Sequence, residues 1–333
     1  DDHHDNGNAD QQQEPLQPPA ALQGCIAAQS LVGASLIGAA ASRQSAGLTD
    51  QTTGQSPVSP EAAAAAVLAD TGHLATTTYR TSMTRPRPQA QEGALQPLLE
   101  RLPPAPSGRR RLVIVMGQLG DFDSMEYAQA LVPRLAEIEL ARIDLQAFAI
   151  GDAAGAERFC TFTGFPRPAL TVDSSSELHE ALGLYAGLKV PGGPWPGFLL
   201  MCAGIGSPGT LQEVLRGYTG DRSAPQIFGD EEEVKAWPLP AFRAAMFARA
   251  GGRGFQRPFE LATKRLRNMG EVLSNWRIYV PCDDHIAQRG GTFLLDEDGS
   301  LLYERRETHL LGFADDMAAP LDFLEPYLII DPS

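Results

Sequence analysis

The feature that most constrains this chain is a series of three short apolar runs, Val113–Met116, Arg142–Ile150 and Ala169–Val172, separated by segments of helical pattern. Gly117 ends the first run and Gly151-Asp152 follows the second. Short runs bounded in this way predict buried strands. Between the first two, Asp123 to Leu140 places Tyr127, Leu131, Leu135 and Ile138 at helical spacing, with Pro133 as a kink. Asp152 is placed to cap a helix through Phe162, and Ser174 or Ser175 to open one through Leu182. Alternating strands and helices predict a parallel sheet. Far downstream, Gly291–Asp296 and Leu301–Arg305 flank Glu297-Asp298-Gly299-Ser300, a strong hairpin turn.

A βαβ unit closed by a β-hairpin and a final helix is an α/β plan of the thioredoxin-like kind. It occupies residues 109–330 and is interrupted by a long insertion, 189–288. Ahead of it, residues 1–57 read as leader and linker, polar at first and biased in composition. Residues 58–108 read as a helical extension. Ser59-Pro60-Glu61 opens one short helix there, and Gly93–Leu102 forms another, broken or kinked at Pro97. The uncharged stretch 25–41 has three readings: a targeting remnant or flexible leader, a weak membrane or membrane-surface helix, and a soluble helix covering another subunit.

A formal net charge of −14 argues against generic nucleic-acid binding, which needs a basic face. The cysteines, Cys25, Cys160, Cys202 and Cys282, are widely spaced and form no CxxC. That excludes a small disulfide scaffold and a zinc ribbon. No cofactor or metal is expected; His3 and His4 belong to a polar tail.

The runs VIVMGQLGDFDSMEYA, RFCTFTGFP, LTVDSSSELHEALGLYAG and GGTFLLDEDGSLLYERRE together resemble the peroxiredoxin-like branch of the AhpC/TSA family, in particular its cyanobacterial and plastid members. The resemblance implies a thioredoxin-like fold and a plastid setting, stromal or thylakoid-associated. Redox-active members carry Gly-Cys-x-x-Cys after the first strand, where a helix N-terminus stabilises a thiolate. Here Asp121 and Ser124 occupy the two cysteine places. Neither can serve as the thiol in such a cycle, and Asp121, Asp123 or Ser124 is expected to cap the helix instead. Gly291 stands where thioredoxin folds commonly place a cis-proline. Cys160, among Phe159, Phe162 and Phe165, is the fallback thiol, and core packing is the simpler reading of it.

The insertion opens with PGGPWPG, read as a turn-rich loop. Ser207-Pro208-Gly209-Thr210 then starts a short helix. The glycine loop 203–210 lacks the lysine of a phosphate-binding P-loop. Pro258–Trp276 is the clearest helix, with Phe259, Ala262, Leu266, Met269, Leu273 and Trp276 on one face and a basic stripe including Arg265 elsewhere. Trp195, Trp237, Phe242, Phe247, Phe255 and Arg265 are the candidates for contact with a protein partner. The function expected from these residues is a non-catalytic structural or interaction subunit, with a photosystem or other thylakoid complex as partner. Two alternatives stand beside it: a thiol peroxidase or redox sensor using Cys160, and a small-molecule binding module bounded by the 203–210 loop.

Overall fold

A computed structural model describes residues 95–104, 108–236 and 238–328. They belong to one compact unit, and a second unit, 28–86, lies outside the described residues. The expectations for 1–57, the helix at 59–69 and the membrane reading of 25–41 fall outside them too. No helix among the described residues is long and apolar enough to cross a membrane.

In chain order the elements are α1 (Gln96–Arg101), β1 (Arg110–Gln118), α2 (Phe122–Leu131), α3 (Leu135–Leu140), β2 (Ile143–Ile150), α4 (Ala153–Thr163), β3 (Leu170–Asp173) and α5 (Glu177–Ala181). The insertion contributes α6 (Pro194–Cys202), α7 (Thr210–Thr219), β4 (Glu233–Val234), β5 (Phe242–Arg243), α8 (Ala248–Gly251), α9 (Glu260–Ser274) and α10 (Trp276–Tyr279). The chain then closes with β6 (Gly291–Leu295), β7 (Leu301–Arg306) and α11 (Glu325–Leu328).

The sheet order is β3-β2-β1-β6-β7, with β1, β2 and β3 parallel and the β6–β7 hairpin antiparallel to its neighbours. This is the expected thioredoxin-like α/β arrangement, and β1 at its centre is buried on both faces. Side chains alternate along a strand. Leu112, Ile114 and Met116 enter the larger core with α2 and α4, while Val113 and Val115 join Leu98, Leu178, Phe293 and Leu295 on the opposite face. Each such fully buried aliphatic side chain contributes roughly 1.5–3 kcal/mol.

Several local expectations are corrected. Pro97 stands in the first turn of α1 rather than breaking it, because a first-turn proline has no intrahelical hydrogen bond to lose. The PGGPWPG segment is a turn only as far as Gly193; Pro194 then begins α6. Of the expected apolar face, Met269 and Trp276 are buried and Leu273 packs against the core, but burial extends beyond it to Leu261 and Val272 and to the polar Glu260, Thr263 and Asn268. The cause is tertiary: α9 is packed against α7, α2 and α10 at once, so burial runs around it. Its basic stripe is likewise not free, since the Arg265 side chain is only 12% exposed. The final helix, within the described residues, is the single turn of α11.

Candidate functional site: the corner at the start of α2

The loop leaving β1 meets the chain entering β6 at two glycines. A Cβ on Gly117 would lie 2.6 Å from Gln288 O, and one on Gly290 would lie 2.1 Å from Val115 O. Only glycine permits this approach of one backbone to another. It delivers Arg289, with no solvent exposure, to the N-terminus of α2.

There Arg289 Nη1 lies 2.8 Å from Asp123 Oδ2, a hydrogen bond, and 2.9 Å from Asp121 Oδ2, an ion pair off the hydrogen-bonding direction. Asp123 Oδ2 also accepts from Leu311 N at 2.9 Å. Glu307 Oε2 accepts from Gly290 N at 2.9 Å. Arg289 further donates from Nε to Ala287 O. The corner therefore joins the β1–α2 loop, the approach to β6 and the segment after β7 through three carboxylates and one guanidinium.

Electrically the corner is unbalanced. Burial raises the Asp121 carboxyl above the usual carboxylate range, opposed by Arg289. Asp123 is raised well above it by burial and then by Asp121 and Glu307. Glu307 is pushed up to about 7, mainly by burial, with Arg289 opposing. One arginine cannot neutralise three buried carboxylates, so the corner retains protons where exposed acids would have lost them. Gln118 Oε1, Asp123 Oδ1, Ser124 Oγ and Arg289 Nη2 are also buried without a hydrogen bond among the described residues.

Asp121 does stand at the N-cap of α2, but its carboxylate makes no capping hydrogen bond; it turns to Arg289. This corrects the expectation that these side chains serve as simple caps. The expectation missed the reason for two acids here, which is a cation 166 residues away in sequence from Asp123.

The insertion roofs the corner. Met269, Val272, Leu273 and Trp276 from α9 and α10, with Phe198 from α6, close over Gln118, Asp121 and Phe122. They leave a cavity of about 30 Å³, room for a water rather than an organic substrate. Asp121 is 8% exposed and Ser124 2%.

Cys160 is buried on α4 within the larger core, and burial raises its thiol above the ordinary range. Arg158, its neighbouring cation in sequence, pairs with Glu271 at 2.7 Å. Cys202 is half-buried and Cys282 exposed, neither in a disulfide. Among the described residues no group of His, Cys, Asp and Glu is arranged to hold a metal ion.

The partner-contact candidates are not gathered in one place. Trp195 donates from Nε1 to Asp283 Oδ2 at 2.9 Å and stacks near Trp276, inside the roof. Phe242 and Phe247 meet at 5.4 Å in a small separate core with Phe228 and Val234. Phe255 lies half-buried under the Arg222 guanidinium. Trp237 lies outside the described residues. Arg265 holds Glu126 at 2.8 Å and Glu213 O at 2.9 Å, so it serves the chain's own packing. Those contacts outweigh the burial of Glu126 and leave its carboxyl below the usual range. The 203–210 loop is closed by its own hydroxyls: Ser207 Oγ and Thr210 Oγ1 bond each other at 2.7 Å, and both bond the backbone of Leu310.

The model of the AhpC/TSA antioxidant enzyme family matches residues 130–309. The matched span takes in Arg289 and Glu307 and begins after Asp121, Asp123 and Ser124. No curated protein matches the chain, and no solved structure does. A match over more than half the sequence, on a five-stranded sheet of this order, places the chain in the AhpC/TSA family.

Proposed function

We propose that this chain is a non-catalytic member of its family, acting by binding a protein partner rather than by reducing peroxides through a thiol. The observation that carries the reading is the α2 corner. The position that supplies the nucleophile in redox-active relatives holds Asp121, tied to the buried Arg289 and roofed by the insertion. Thiol chemistry needs an accessible, electrostatically stabilised thiolate. A carboxyl group at that place supplies no sulfur nucleophile. Cys160 does not replace it, because burial holds it protonated. The plastid setting and a thylakoid complex as partner are proposed on the family resemblance described above.

The test is peroxide consumption coupled to a thioredoxin reductant, in the parent and in Cys160→Ser. We expect no turnover in either. The exposed Cys282 is expected to alkylate at an ordinary thiol rate and Cys160 only after unfolding. Turnover in the parent that disappears in Cys160→Ser would move the chain to the thiol peroxidases and end this reading.

A further inference from the structure

The insertion carries a small lobe of its own. Phe228, Val234, Ala244 and Phe247 form its core. It is pinned by the fully buried Arg257, which pairs with Glu260 at 2.7 Å and with Asp230 at 2.5 Å. From 236 to 259 the sequence holds arginines at 243, 249, 253 and 257 and no Asp or Glu, within a chain whose net charge is −14. Arg257 points inward; the other three do not. Arg243, Arg249 and Arg253 are exposed and line an open surface groove of about 590 Å³, together with Ala245, Met246 and Gly252. Met246 is 52% exposed there, an apolar contact beside the guanidinium groups.

We infer that this groove docks an acidic peptide segment of a protein partner, its carboxylates held by Arg243, Arg249 and Arg253. The inference rests on the partner-binding reading above and names the partner's chemistry. Its support is the pairing that these arginines make beside the groove. Arg243 Nη1 meets Glu231 Oε2 at 2.7 Å, and Arg253 Nε meets Asp230 Oδ2 at 2.7 Å, both from the acidic run Asp230–Glu233. Carboxylates of two successive turn residues therefore already reach two of the three guanidinium groups. Arg249 has no ion-pair partner among the described residues. The Arg243 pair is solvent-exposed on both sides, at 73% and 86%, and such pairs exchange partners at little net cost. The arginines are spread along an open rim rather than converging in a closed pocket. That spacing suits several carboxylates on one chain better than a single small anion, and the planar guanidinium matches the carboxylate fork.

The experiment is fluorescence anisotropy of a fluorescein-labelled peptide of alternating Glu and Asp with one central Leu, titrated with the full chain. Saturable binding is expected, weakened roughly tenfold or more by Arg249→Glu and by raising the salt from about 50 to about 300 mM. Arg249→Lys should keep part of the affinity, since it keeps the charge and loses the fork. Arg167→Glu, an exposed arginine outside the insertion, should change nothing. Arg249→Glu should unfold with the parent, as Arg249 makes no ion pair within the described residues. No saturation up to about 1 mM, a range set by the weakest specific contacts, overturns the inference. Binding unaffected by Arg249→Glu does so too, as does equal competition by inorganic phosphate, which would make the groove a general anion site. Failure here with peroxide turnover still absent removes this groove and leaves the non-catalytic reading; peroxide turnover removes that reading whatever the peptide does.

Discussion

Two regions of this molecule are built from arginines and carboxylates, and they differ in one respect, access to water. At the α2 corner, Arg289 and its acids are sealed between the ends of the interior strands β1 and β6 and the insertion's helices. On the rim of the insertion's lobe, Arg243 pairs with Glu231 in water, Arg253 reaches the half-buried Asp230 that also holds Arg257, and Arg249 pairs with nothing among the described residues. In the corner the Coulomb attraction is strong, and so is the cost of desolvation, so no member can leave without stranding the rest. At the exposed Arg243 pair on the rim both terms are small and partners can be exchanged. The first arrangement fixes a backbone; the second leaves a surface open to an incoming chain.

The contrast is broken most directly by Arg289→Met. Removing the cation leaves Asp121, Asp123 and Glu307 buried together, and we expect a loss of about 3–5 kcal/mol in chemical denaturation. Adding Asp121→Asn and Asp123→Asn in the same chain should recover much of it. A loss under about 1 kcal/mol would mean that water reaches the corner and that the two regions do not differ as described.

The next effect is on pH dependence. Glu307 stands at about 7 in the folded chain against an ordinary 4.5. A raised folded value means its contribution is fully present below about 4.5 and is lost as the pH rises toward 7, on the order of 3 kcal/mol. Glu307→Gln should flatten that fall in urea unfolding across the range. His179, buried with Nε2 against Met116 O, is lowered to about 4 from 6.5, chiefly by burial. Its contribution runs the other way and is lost as the pH falls between those values. Asp121 and Asp123, also raised by burial, act in the same direction as Glu307 and His179 opposes them, so the parent should lose stability as the pH rises and Glu307→Gln should lose less. An unchanged profile in Glu307→Gln would show that Glu307 titrates like a surface acid.

Gly290→Ala should cost about 1–3 kcal/mol, because its Cβ would lie 2.1 Å from a backbone oxygen that cannot move without disturbing β1. A neutral result would mean that β1 and the segment at 288–290 can separate freely, and with them Arg289 from its acids. The smallest effect is expected on the rim. Arg249→Ala should stay within about 0.5 kcal/mol of the parent by thermal unfolding. A larger loss would show that Arg249 serves the fold and would blur the distinction.

Much of the fold was legible in the residues because it rests on local patterns. The second and third apolar runs became β2 and β3 to within a residue, the first became the middle of the longer β1, Pro133 gave the break between α2 and α3, and Asp152 caps α4 by accepting from Gly155 N. The corner was only half legible. The replacement of both cysteine positions by Asp121 and Ser124 could be read directly, yet nothing local marked Arg289 as their partner. A signal was present: an arginine directly before the Gly290-Gly291 pair that enters β6, in a chain with two acids at the start of a helix. The contact face of α9 was read incompletely, with Met269 and Trp276 found but Leu261 and Val272 missed, because periodicity assumes one neighbouring surface and α9 has several.

The amino-acid sequence by itself determined the order of strands and helices, the hairpin at 297–300 and the absence of a cysteine pair after the first strand, since each depends on residues close together in the chain. The tertiary structure decided which charges are sealed and which are free. Arg289 and Arg249 are the same residue type in one sequence. The first is buried where two glycines let separate backbones meet, and the second lies on a rim that nothing described covers. Desolvation sets the strength of a charged contact, and desolvation depends on what the distant parts of the chain bring to the same place.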